Sequence, residues 1–312
     1  MTGTQNNAQV DKLLTNLSNK IVPLNYISEQ ILPLVNVVQS SGKVGQYGNS
    51  HLRIESDITG GKNKYPSIQT RTYATTDYSI TKHGLSDIVT EEDMANVEDP
   101  FDAMTDTTDE LTTKLWLGKE KSLADTITDT AVITDNVTLS GTDQFNDYAN
   151  SSPLDAFSTA RNAVYNNVGT PPDTAIMSWE TWQKLRYHPE IVRNLGYADN
   201  RPGGLQESEL ASVMEVKRLL IGAAVYNAAE EGQTDNISSV WGKDIVFGVC
   251  PTTAAKRQVS LGYRFQQFGA PRRVFRNNVD NPPRAVEILV DDSYQQLISQ
   301  SQAGYLIKDA IA

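Results

Sequence analysis

Residues 98 to about 127 read as one long helix whose apolar face is too thin to bury it unaided. Phe101, Met104, Leu111, Leu115 and Trp116, with Thr108 in register, recur at three- and four-residue steps. Glu98, Asp99 and Pro100 give an acidic, proline-marked start, which the helix dipole and the fixed φ of proline both favour. Such a helix spans roughly 40 Å at 1.5 Å per residue. Its stripe is narrow and diluted by threonine, so it needs a sheet or a neighbouring subunit beside it.

The segment before it has the same difficulty. Leu52, Ile54, Ser56 and Ile58 alternate with His51, Arg53, Glu55 and Asp57, a period of two that predicts a strand with one wet face. The turn signal Thr59, Gly60, Gly61, Lys62, Asn63 follows, then the polar, β-prone run SIQTRTYATTDYSITKHG. This predicts a long hairpin with no properly apolar face, marginal on its own and best lodged against another chain. Residues 1–50, rich in Asn, Gln and Ser with scattered apolar pairs, predict a short helix or extended arm rather than an independent domain.

From residue 152 the pattern becomes compact. Ser152, Pro153 and Asp155 predict a capped start to a helix carrying Leu154, Phe157, Arg161 and Val164 and ending before Gly169. PPDTAIMS predicts a loop and short strand. Ser178 is placed to cap a helix with Trp179, Trp182 and Leu185 that stops near Pro189, and LQESELASVMEV predicts a third helix. LLIGAAVYNAA, DIVFGVC, VSLGYRF, RRVFRNN and AVEILVDDSY then predict strands in close order. Helices followed by a run of antiparallel strands define an α+β class.

Composition removes several functions. The 312 residues carry 27 Lys+Arg against 38 Asp+Glu, a net charge of -11, which argues against gripping a duplex, since that affinity comes from cations releasing counterions. Ser, Thr, Asn and Gln make up roughly 28% of the chain, so its wet faces are mostly neutral-polar. Cys250 is the single cysteine, which rules out an intrachain disulfide and a thiol cluster, and it reads as a small core residue. The start MTGTQNNAQVDKLL shows no signal peptide, and no apolar run reaches membrane-spanning length, so the expectation is a soluble cytoplasmic protein without membrane contact.

Catalytic motifs are missing as well. GGKNKY and VWGKD lack P-loop spacing, GxGxxG and GxSxG do not occur, and HPEIVR at His188 has neither the second histidine nor the adjacent glutamate of HExxH. His51, His83 and His188 are the only histidines available to a triad. Glu91, Glu92 and Asp93, and separately Asp291 and Asp292, have the chemistry of a divalent-cation site or paired acids. With no ligand-spaced loop around them, they read as a helix N-terminal region and a strand end facing water. Arg272, Arg273 and Arg276 form the one basic cluster, read as an intersubunit salt bridge or a solvated strand face rather than a nucleic-acid platform. No catalytic, cofactor-binding or metal-binding residue and no cofactor is therefore assigned; a carboxylate-based enzyme using Asp291 or Glu91 is the remote alternative.

The order of these parts resembles the major capsid proteins of tailed bacteriophages with the Hong Kong 97 fold, over nearly the whole chain. YATTDYSITKHGLSDIVTEED is similar to that family's hairpin return strand and entry to the spine helix, and MSWETWQKLRYHPEI to its axial-domain strand and helix. ELASVMEVKRLLIGAAVYNAAEEG followed by VWGKDIVFGVCP resembles its helix, strand and Trp-Gly strand. The resemblance implies an N-terminal arm (1–50), an extended hairpin loop (51–90), a spine helix with part of a peripheral domain (91–151), and an axial domain with return strands (152–312). It also implies a homo-oligomer of hexamers and pentamers enclosing double-stranded DNA without sequence-specific binding. Scaffold, portal and decoration proteins are the implied partners, scaffolding being supplied by a separate protein or a segment cleaved or absent here. An encapsulin-like nanocompartment is the alternative with the same fold. Some family members crosslink through a Lys–Asn isopeptide bond; Lys62 and Lys64 sit at the expected hairpin tip, but no acceptor Asn or activating Glu can be matched to them.

Overall fold

The computed structural model describes residues 9–23, 25–46, 54, 74–96, 102–196, 203–230, 232–255, 258–269, 272–279 and 284–312. From the N-terminus come strand β1 (Gln9–Val10), helices α1 (Lys12–Lys20) and α2 (Ser28–Ile31), and strands β2 (Leu34–Val37), β3 (Ser41–Gln46), β4 (Ala74–Ser79) and β5 (Thr81–Thr90). Helix α3 (Glu91–Asn96) leads to the long α4 (Ala103–Ile127), then to β6 (Asn136–Thr138) and α5 (Pro153–Val168). Next are β7 (Thr174–Ser178), α6 (Trp179–Leu185), α7 (Pro189–Asn194), α8 (Glu207–Val213), β8 (Arg218–Gly222), β9 (Val225–Asn227) and β10 (Ile237–Ser239). Strands β11 (Ile245–Gly248), β12 (Gly262–Gln267), β13 (Arg273–Val279), β14 (Ala285–Ile298) and β15 (Gly304–Lys308) complete the chain.

Helix α4 is the predicted long helix, 25 residues or about 37 Å. Its start is Asp102, whose carboxylate accepts from the Met104 amide at 3.2 Å; Glu98, Asp99, Pro100 and Phe101 lie outside the described residues. The helix ties two sheets together. Leu111 packs with Val274, Val286, Ile288 and Val290 of the large sheet, while Leu123, Ala124 and Ile127 pack against the C-terminal sheet.

That C-terminal sheet has the order β6-β15-β11-β7-β8. Its strands are near-continuous apolar runs because both faces are covered, and alternate side chains enter different cores. Ala175, Met177, Ile245, Phe247, Tyr305 and Ile307 face α5 to α8. Ile176, Val246 and Leu306 face the end of α4, with Ile27, Ile31 and Leu32. Here the strands predicted from LLIGAAVYNAA and the helix predicted to end near Pro189 both divide. The first splits at Gly222 so that β9 can pair with β10. The second stops at Leu185, and Pro189 opens α7 instead. Ser178 caps α6 as predicted, accepting from the Thr181 amide at 3.3 Å. Ser152 does not cap α5: its hydroxyl donates to Asp155 and Glu190, leaving Pro153 at the first turn.

The large sheet is built on β14. Strand β5 runs along one edge of it, and β12 and β13 lie end to end along the other, with β2 and β1 outside them. The predicted return strand SIQTRTYATTDYSITKHG is not continuous, because Ile80 separates β4, which pairs with β3, from β5, which joins the large sheet. The hairpin base is thus Ser41–Gln46 with Ala74–Ser79, where the sequence reading had placed the start at 51 and the end at 90. The strand predicted at 51–58, apart from Ile54, and the turn with Lys62 and Lys64 lie outside the described residues.

Candidate functional site

The two sequence-derived acidic clusters part company. Glu91, Glu92 and Asp93 are exposed in the first turn of α3, where Asp93 and Thr90 close a reciprocal cap: the Thr90 amide and hydroxyl donate to Asp93 Oδ2 at 3.1 and 2.6 Å, and the Asp93 amide donates back at 3.1 Å. Asp291 and Asp292 are not at a strand end facing water. They lie inside the 14-residue β14 and are 6% and 5% exposed. The reason is register. Val286, Ile288 and Val290 face the core, and Asp292 is the next residue on that face.

Asp292 also sits opposite the break between β12 and β13, and Arg272 fills that break. Its guanidinium reaches Asp292 Oδ2 at 3.4 Å, donates to the Ser18 carbonyl at 3.3 Å and stacks 4.6 Å from the Trp116 ring centroid. Arg272 is therefore interior, not a solvated or intersubunit cation. Arg273 turns away to the Gly269 carbonyl at 2.8 Å, and Arg276 is half-buried on β13. Asp291 points to the other face and pairs with Lys82 at 2.7 Å.

The same layer holds residues to which the sequence gave no role. Lys119 of α4 is buried, reaches Glu29 Oε1 at 2.9 Å and lies over the rings of Trp116 and Tyr294 at 4.7 and 4.8 Å. Arg264 of β12 pairs with the same Glu29 oxygen. Burial alone would raise the Glu29 carboxyl, but Lys119 and Arg264 outweigh it and hold its pKa below the usual value. Burial, with Arg264 nearby, pushes the Lys119 ammonium down against the pull of Glu29 and Asp292. Next to it, fully buried Glu120 accepts from the Ile27 amide at 2.9 Å, the Ser28 amide at 2.8 Å and Trp241 Nε1 at 2.8 Å. A signal for both was present: 119 and 120 continue the buried face of α4 between Trp116 and Leu123.

Together these groups weld the N-terminal segment to the helix. Ser18 bonds Thr112 at 2.8 Å, and Trp116 Nε1 donates to the Ile21 carbonyl at 2.9 Å, one turn before Lys119 and Glu120 take Glu29 and the 27–28 amides. Each buried charge is matched by an opposite one or by amide donors, the arrangement of a structural staple. Nothing in it presents a nucleophile beside a base. Burial, reinforced by Asp173, raises the Cys250 thiol to about 12. His188 caps α7, accepting from the Glu190 amide at 3.3 Å with Ser151 at 3.0 Å on its other nitrogen, and burial together with Arg193 lowers its pKa to about 4. His83 stacks on Tyr294 at 4.4 Å, and His51 lies outside the described residues. Among the described residues no three His, Cys, Asp or Glu side chains gather as metal ligands, and no helix is long and apolar enough to cross a membrane.

The outer surface also carries large apolar side chains. Val38, Leu13, Phe268 and Ile237 are 81%, 74%, 74% and 62% exposed. Trp179 and Val225, each about half exposed, flank an open groove of about 400 Å³ that Ala223, Ala224 and Ser239 also line.

Solved structures give the class. The fold matches a phage-related protein from Bordetella bronchiseptica with a TM-score of 0.74 at 23% identity, over 97% of this chain and 98% of that one. It matches the capsid of the cyanophage P-SCSP1u with a TM-score of 0.61 at 10% identity, over 92% and 90%. The architecture is thus an α+β fold of the Hong Kong 97 type. A major capsid protein of Burkholderia phage BcepMu is 22% identical over 306 residues, 96% of this chain and 95% of the relative. The family model described as phage capsid protein matches residues 72–246, and this chain belongs to that family.

Proposed function

We propose that this chain is the major head subunit of a tailed phage, its copies joining as hexamers and pentamers that close a shell around packaged double-stranded DNA. The observation that carries this is the family match through residues 72–246. A shell needs many uniform contacts between copies, and a heterologous contact repeated about an axis closes into rings. In this reading residues 1–50 form the arm, the hairpin reaches over the adjacent copy, 91–151 carry the spine, and 152–312 form the axial domain and return strands. The subunit acts without catalysis, in the virion and, during assembly, in the host cytoplasm. A scaffold, a portal and decoration proteins are its partners. The net charge of -11 supports a container that does not hold its DNA tightly.

Negative-stain electron microscopy of the purified protein, with and without a co-expressed scaffold, tests this directly. Closed particles of uniform diameter are expected. Persistence of a 34.4 kDa monomer under every assembly condition rejects the shell reading. Particles from infected cells are expected to contain DNA; an enzyme cargo in its place would identify a nanocompartment.

A further inference from the structure

The hairpin leaves the large sheet through two very short tethers. Residues 38–40 alone join β2 to β3, and Ile80 alone joins β4 to β5. Its amide donates to the Ser40 carbonyl at 2.7 Å, tying the two tethers together. Two tethers define an axis about which a hairpin can still swing. A third contact away from that axis is needed to fix the swing, and Tyr78 makes one. Its ring stacks on Phe265 of β12, centroids 4.6 Å apart and planes 12° from parallel. Phe265 is only 2% exposed and cannot retreat. Beside this stack, the Ser79 amide donates to Gln295 Oε1 of β14 at 2.6 Å.

Gly42 is the cross-strand partner of Tyr78 and lies close to the tip of its ring. A Cβ at Gly42 would stand 2.8 Å from Tyr78 Cε1 and Oη and 2.9 Å from Cζ, inside any permitted contact. A side chain at Gly42 would have to displace the tip of this ring, the same ring that stacks on Phe265. That displacement disturbs the parallel contact with Phe265. Glycine, otherwise a weak choice within a strand, is what lets the backbone approach the ring here.

We propose that the Gly42–Tyr78–Phe265 stack fixes the angle at which the hairpin leaves the sheet, and through that angle the curvature at which copies of this chain join. The curvature part rests on the reading that the hairpin overlaps the adjacent copy. The angle part does not, so the two are measured separately.

For the angle, spin labels at Thr75→Cys on the hairpin and Ile88→Cys on the large sheet report one distance in the unassembled subunit; Cys250 is buried and stays unlabelled. A single narrow distribution is expected in the parent and in Tyr78→Phe, which keeps the stack, and its loss is expected in Gly42→Ala and Tyr78→Ala. A broad parent distribution, or a narrow one in both disruptive variants, overturns the proposal. Using two disruptive variants guards against one of them failing to fold, which a thermal melt reveals.

For the curvature, the variants are assembled and their diameters measured by electron microscopy. Gly42→Ala and Tyr78→Ala are expected to give mixed diameters or open sheets, and Tyr78→Phe the parent diameter. Uniform parent-sized shells from the disruptive variants overturn this part. Chemical crosslinking of parent shells settles the reading beneath it: no hairpin-to-neighbour crosslinks would remove the overlap while leaving the angle result intact.

Discussion

His188 accepts the Glu190 amide through Nδ1, so its proton sits on Nε2 and is offered to Ser151. A second proton would cost that cap. The unfolded imidazole titrates near 6.5 and the folded one at about 4. Between those values the unfolded chain binds more protons than the folded one, so stability is full above 6.5 and declines as pH falls through the window. The loss by pH 4 is on the order of 3 kcal/mol. His188→Asn retains a capping side chain without the titration, and urea denaturation across this range is expected to show a flatter profile; an unchanged slope assigns the acid sensitivity elsewhere. Asp292 makes a related point about reading residues. Its charge drew attention to it as a chemical group, whereas its place after Val286, Ile288 and Val290 was the better guide to where it lies.

Helix α4 is where the elements meet, and Glu120 shows how. One carboxylate takes two amides at the start of α2 and the indole that crosses β8, so it joins the N-terminal segment, the helix and the C-terminal sheet. Gly222 of β8 makes the same junction possible, since a Cβ there would fall 2.1 Å from Trp241 Cδ1. Glu120→Gln turns an amide donor toward groups that themselves donate, and a loss of about 2–4 kcal/mol is expected in equilibrium denaturation. A loss below roughly 0.5 kcal/mol would mean that packing, not this acceptor, holds the junction. The helix itself was legible from the three-and-four spacing of Met104, Leu111, Leu115 and Trp116. The same spacing places Lys119 and Glu120 on the buried face between Trp116 and Leu123, but their partners, Glu29 and the 27–28 amides, come from elements far along the chain and are set only by the fold.

The whole molecule carries a net charge of -11, so bringing copies together works against a like net charge. Going from 10 mM to 1 M salt shortens the screening length from about 30 Å to about 3 Å. Assembly followed by light scattering is expected to become faster and more complete over that range; slower or unchanged assembly would show that specific ion pairs, which salt weakens, drive the contact instead. The sequence by itself determined the long thin-striped helix, the apolar strands of the C-terminal sheet and the α+β class, because alternation and helical spacing are written within a few residues. Only the tertiary structure decided that Arg272 is interior, that the N-terminal segment is bonded along α4, and that Ile80 ends the hairpin. Those outcomes depend on partners such as Ser18 and Arg272, 254 positions apart, whose meeting no local period encodes.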